Sequence, residues 1–70
     1  MKELPVRNAV RTLREKRGLT QKELAAEVEV TRQTIGLIEA NRYNPTIALC
    51  LGLAEILDTD LDTLFWVEEE

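Results

Sequence analysis

Three threonines and one aspartate punctuate this chain and fix what it can become. Thr20, Thr31, Thr46 and Asp60 each stand just ahead of a stretch in which apolar residues recur every three or four positions. A side-chain oxygen at such a place accepts a hydrogen bond from a free amide of the first helical turn, so each is a start signal for a helix. The strongest is Thr20-Gln-Lys-Glu23, a capping box in which Thr20 and Glu23 satisfy each other's orphan amides. No stretch alternates polar and apolar residues over a strand's length, so the expected fold class is all-α, with five helices.

The first helix is expected over residues 6–17, with Val6, Ala9, Val10 and Leu13 on one stripe and Gly18 as its stop. A second runs over 20–28 and buries Leu24, Ala25 and Val28. A third covers 31–39 and turns Ile35 and Ile38 inward. Asn41 to Pro45 reads as a loop, because Asn tolerates left-handed backbone and Pro45 biases Asn44 away from helix. In the fourth helix Ile47, Cys50, Leu53, Ala54 and Leu57 form a stripe, yet Leu49, Leu51 and Ile56 lie off it. The last helix follows Asp60 through Phe65, and Trp66 and Val67 precede an acidic end.

At 70 residues the chain makes one domain, burying only about 60% of the surface its unfolded form exposes. Its single cysteine forms no internal disulfide, and without histidine it builds no ordinary zinc site. Pairing of two chains is the remaining remedy. Leu49, Leu51, Ile56 and the 64–67 segment (Leu64, Phe65, Trp66, Val67) are the expected dimer surface, with the acidic tail 66–70 contributing. Eight charges within residues 1–20 exclude a secretory signal, and no apolar run is long enough to span a bilayer. A cytoplasmic protein follows. No nucleophile, paired acid and base, or metal spacing can be assembled, so an enzyme, a cofactor or a small-molecule ligand is not expected.

The net charge of −4 argues against a nucleic-acid partner until its distribution is considered. Residues 1–46 hold all nine bases against six acids, a balance of +3, whereas residues 47–70 hold seven acids and no base. One end can meet phosphates while the other avoids them; a plain solvated surface with an acidic tail explains the same pattern.

The informative stretch is 20–39. Two short helices meeting at Val28 to Val30 cross steeply, and Ala25 is small where their backbones approach. With Ile35 and Ile38 pinned inward, Arg32, Gln33, Gly36 and Leu37 face outward on the second of the two, as readout in a major groove requires. These residues, with Leu13 to Ala25, Tyr43-Asn-Pro-Thr46 and Leu61-Asp-Thr-Leu-Phe65, resemble the lambda-repressor and Cro-type helix-turn-helix family, also called Cro/C1 or XRE. The resemblance covers nearly the whole chain, with the domain over 6–65, and implies a compact five-helix lambda-repressor-like fold that binds double-stranded DNA.

It further implies roles. Gln21 is similar to the family's phosphate anchor, Gln33 to its main base reader, and Arg32 to a contact with guanine or phosphate. A glutamine amide donates to and accepts from adenine's major-groove edge at once. Thr31 caps, leaving its amide near a phosphate, and Thr34 is a lesser candidate. Gly36 costs about 1 kcal/mol in a helix interior, for which close approach to DNA is a reason. Leu37 touches a thymine methyl or is simply exposed. Arg42, Tyr43 and Asn44 resemble the family's backbone-contacting loop. Arg14 and Glu39 match positions that form an internal ion pair, and belong to structure.

The chain departs from the pattern at the bend, where Glu29 replaces the usual glycine, implying either strain of about 1–2 kcal/mol or a reshaped turn. Asn41 replaces another glycine, and Gly52 stands where a polar residue is common, either admitting a partner helix or as a neutral weakness. Two functions are compatible with these residues: a sequence-specific regulator, most simply a repressor, binding a palindromic operator as a homodimer, and a protein-interaction or antitoxin-like module using the apolar C-terminal surface.

Overall fold

The helical start signals form as expected. In the computed structural model, which describes residues 5–68, the order is β1 (Val6–Asn8), α1 (Val10–Lys16), α2 (Gln21–Glu27), α3 (Arg32–Glu39), α4 (Ile47–Ile56), α5 (Leu61–Leu64) and β2 (Phe65–Val67). The Thr20 hydroxyl accepts from the Glu23 amide at 3.0 Å while the Glu23 carboxylate accepts from the Thr20 amide at 2.9 Å. Thr31 caps onto the Thr34 amide at 3.2 Å, Thr46 onto Leu49 at 3.1 Å and Asp60 onto Thr63 at 2.7 Å. Hydrogen bonds from Thr20, the backbone amide first, hold the Glu23 carboxyl below its ordinary range. Those from Thr63, side chain first and then backbone, do the same for Asp60.

Four of the five helix ends share one geometry, while α5 runs straight into extended backbone at Phe65. Gly18, Glu29, Asn41 and Asp58 each follow a C-cap with φ between 55° and 72°. At each end the left-handed residue's amide and the next amide bond back to carbonyls three and five positions earlier, as in Glu29 to Ala26 at 3.3 Å and Val30 to Ala25 at 3.0 Å. This is the Schellman arrangement, which satisfies carbonyls the helix leaves free. Only one of the four positions is a glycine.

The expected first helix over 6–17 is corrected at its start. Residues 6–8 are a strand, antiparallel to residues 65–67, in the register Val6 with Val67, Arg7 with Trp66 and Asn8 with Phe65. The last helix likewise stops at Leu64, not Phe65. Three residues per strand are too few to show alternation, and the pairing joins opposite ends of the chain. The ribbon is closed by Glu68 donating to the Pro5 carbonyl at 2.8 Å and by Ala9 donating to Leu64 at 2.9 Å. Asn8 ties it to the end of α3, its amide reaching the Ile38 carbonyl and the Asn41 side chain, each at 2.9 Å.

Val10, Leu24, Ile35, Ile38, Leu53 and Leu64 are fully buried and make one core, each contributing about 1.5–3 kcal/mol of burial. Ala25, buried at the crossing of α2 and α3, supplies the small residue that crossing needs. Leu64 must therefore be removed from the dimer surface expected of it, since its own subunit covers it completely. Phe65 is half-buried against the same core. The acidic tail falls partly outside the described residues, at Glu69 and Glu70. Among the described residues, no helix is long and apolar enough to cross a membrane.

Candidate nucleic-acid interface

The site rests on α3 being a rod of its own. Chain from Val28 to Thr31 separates it from α2, Glu29 turning the backbone at φ 58°. Glutamate therefore occupies the left-handed conformation that glycine adopts without strain, and the bend is not reshaped. Ile35 and Ile38 lock one side of α3 into the core, while Arg32, Gln33 and Leu37 lie exposed on the other. At 3.6 residues per turn Gln33 and Leu37 share the centre of that outward face, with Gly36 beside them.

A polar chain fixes the rod beneath its outward face. Arg14, only 9% exposed, donates from Nε to Glu39 Oε2 at 2.7 Å, from Nη2 to Glu39 Oε1 at 3.2 Å and from Nη1 to the Leu19 carbonyl at 2.8 Å. The Glu39 hydrogen bond holds the guanidinium above its ordinary range. Gln21 donates to Glu39 at 3.1 Å and accepts from Arg32 at 3.0 Å. Gln21 thus links a buried ion pair to an exposed cation on α3. Thr31 and Thr34 are engaged with each other, hydroxyl to hydroxyl at 3.0 Å, as a cap would be.

A cleft of about 350 Å³ lies beside this chain, between α1 and α3, lined by Arg11, Arg14, Gln21, Gly36, Glu39 and Ala40. A Cβ on Gly36 would sit 3.8 Å from the Gln21 amide, ordinary contact, so the chain's own packing does not demand the glycine. Arg11 is a lining cation that sequence reasoning missed; its only signal is the approach of α1 to α3, which no local pattern encodes. It meets Glu15 loosely, at 3.6 Å.

Arg42, Tyr43 and Asn44 are exposed on the loop after α3. They border a second groove of about 410 Å³, whose far wall is β1. The ten candidate DNA contacts thus fall into a helix face, the start of α2 and a loop, and the structure links the first two by hydrogen bonds. Of the expected dimer residues, Leu51 is 53% exposed, Trp66 44% and Val67 45%, while Leu49 and Ile56 are half-buried on another flank of α4. Cys50 is buried, and burial pushes its thiol up, away from nucleophilic chemistry.

Comparison with known proteins gives this geometry a family. A family model described as helix-turn-helix matches residues 10–64. An HTH-type transcriptional regulator of Bacillus subtilis, YgzD, is 37% identical over 65 residues, spanning 93% of this chain and 98% of that protein. Among solved structures, the restriction-modification controller protein C.AhdI from Aeromonas hydrophila is 33% identical with a TM-score of 0.70, over 74% of this chain and 79% of that one. SinR, a master regulator for biofilm formation solved in complex with DNA, is 27% identical with a TM-score of 0.71, over 77% of this chain and 87% of that one. With its separate α3, its capped bend and its matches across most of its length, the chain belongs to the Cro/C1-type (XRE) family of helix-turn-helix transcriptional regulators.

Proposed function

We propose that this protein is a cytoplasmic, sequence-specific DNA-binding regulator that acts as a homodimeric repressor on a palindromic operator. The observation that carries the reading is the outward face of α3, where Arg32, Gln33 and Leu37 are exposed on a helix locked from behind by Ile35, Ile38 and the Arg14–Glu39 pair. Gln33 reads a base by a bidentate amide contact, and Arg32, steadied by Gln21, reaches guanine or phosphate. Thr31, Thr34 and Gly36 let the helix approach, Leu37 meets a thymine methyl, and Arg42, Tyr43 and Asn44 hold the backbone. Gln21 anchors phosphate once its amide is released from Glu39.

Leu51, Trp66 and Val67 are the exposed apolar residues that a second copy would cover, setting two recognition helices about 34 Å apart. Occupancy of such a site excludes other proteins from a promoter, which is repression. The test is selection from a random duplex library at two salt concentrations. A palindromic motif, steep loss of binding with salt and altered preference in Gln33→Ala support the reading. No selected motif, with Gln33→Ala silent, leaves a protein-interaction module instead.

A further inference from the structure

On the other side of the helix-turn-helix bend lies a groove of about 310 Å³ between the end of α2 and α4. Val28, Leu49, Gly52 and Ile56 form an apolar floor, and Glu27, Glu29 and Glu55 line its edges. The floor residues are half-buried and the three glutamates exposed. Among the described residues, none of the three has an ion-pair partner.

Two positions here go against local preference in opposite senses. Glu29 holds a left-handed φ of 58°, where glycine would be unstrained. Gly52 sits inside α4, where alanine is the better helix former. Nor does packing require Gly52, because a Cβ there would meet Val28 Cγ1 at 3.7 Å, an ordinary contact. A carboxylate stands where glycine is easiest and a glycine where a side chain is easiest, and both choices shape one groove. Conflicts of this kind between local and global preference mark functional surfaces.

We infer that this groove docks a basic amphipathic helix of another protein. Its apolar side chains would cover the floor against the bare backbone at Gly52, and its Lys or Arg residues would meet Glu27, Glu29 and Glu55. DNA is excluded as occupant by the carboxylates. A second copy seated groove to groove is disfavoured because it would bring two sets of three glutamates together. The groove is separate from the exposed edge of α4 as well: Leu51 and Ile56 are about 140° apart around the helix.

Methyl NMR of the full chain, titrated with a lysine–leucine amphipathic peptide of about 15 residues, tests this. Shifts concentrated on Val28, Leu49 and Ile56 are expected, with no binding of the same peptide carrying glutamate for lysine. Gly52→Leu, filling the floor, should weaken binding about tenfold or more. The pair Glu29→Gln and Glu55→Gln carries the same expectation without altering packing. Operator binding should be unchanged in all variants, so this test stands apart from that of DNA recognition. Shifts centred instead on Thr59, Leu61 and Thr63, the methyl-bearing neighbours of Asp58, Asp60 and Asp62, would overturn the inference. So would wild-type affinity in the Glu29→Gln, Glu55→Gln pair, or a native mass that drops to monomer in Gly52→Leu.

Discussion

Helices α3 and α4 begin and end alike and differ in what they show the solvent. Each starts with a threonine cap and each closes in a left-handed residue with the same pair of backward hydrogen bonds. Yet α3 presents Arg32 and Gln33 outward, whereas α4 presents Ile47, 67% exposed, and Leu51, 53% exposed. A helix that is apolar on nearly every side, with Glu55 as its one charge, calls for more cover than solvent. The caps decide that both segments are helices; only the outward faces set a polar, hydrogen-bonding surface on α3 apart from an apolar one on α4.

That contrast can be broken first where α3 is fixed. Arg14→Ala leaves Glu39, whose side chain is only 5% exposed, without its cation, and should cost about 3–5 kcal/mol in urea unfolding. A loss under about 1 kcal/mol would mean that the ion pair does not hold the rod. On α4, Leu51→Glu should leave the fold intact and remove about 2 kcal/mol from self-association, read by light scattering as a smaller mass and by a gel shift as weaker operator binding. An unchanged mass would move the dimer surface elsewhere.

Smaller effects sharpen the shared part of the comparison, the helix ends. Glu29→Gly should raise stability by about 1 kcal/mol and Gly18→Ala lower it by a similar amount, because the two occupy one backbone conformation with opposite residue choices. Equal and same-signed shifts would contradict the Schellman reading. Smallest is the acid response. The folded carboxyls of Glu23 and Asp60 lie below their ordinary range, so the unfolded chain binds more protons as pH falls. Their contribution is present above pH about 4.5 and is lost as pH drops through the folded values. Asp60→Asn keeps the cap and should flatten the melting temperature against pH between about 2 and 5.

Most of the helical framework is legible in the sequence because caps are local: Thr20, Thr31, Thr46 and Asp60 need only their own next three residues. The outward face of α3 is legible for the same reason, through the spacing of Ile35 and Ile38. What escapes is long-range. The β1–β2 ribbon joins Val6 to Val67, and neither strand is stable without the other. Leu64 looks like its exposed neighbours Trp66 and Val67 until it packs into the core with residues such as Val10, Ile38 and Leu53. Arg11 and the Gln21–Glu39 link depend on how three helices meet, and Asp58 gives no sign in sequence of its left-handed φ of 55°. The two flanks of α4 likewise separate only once Val28 packs near Gly52.

The central claim is that Gln33 on an independent α3 reads bases. Affinities of wild type and Gln33→Ala for the selected operator and for each single-base variant of one half-site test it directly. Wild type should lose about 1–3 kcal/mol at one base pair, and Gln33→Ala should be indifferent there while remaining selective elsewhere. Uniform weakening at every position, with the wild-type preference intact, would contradict it.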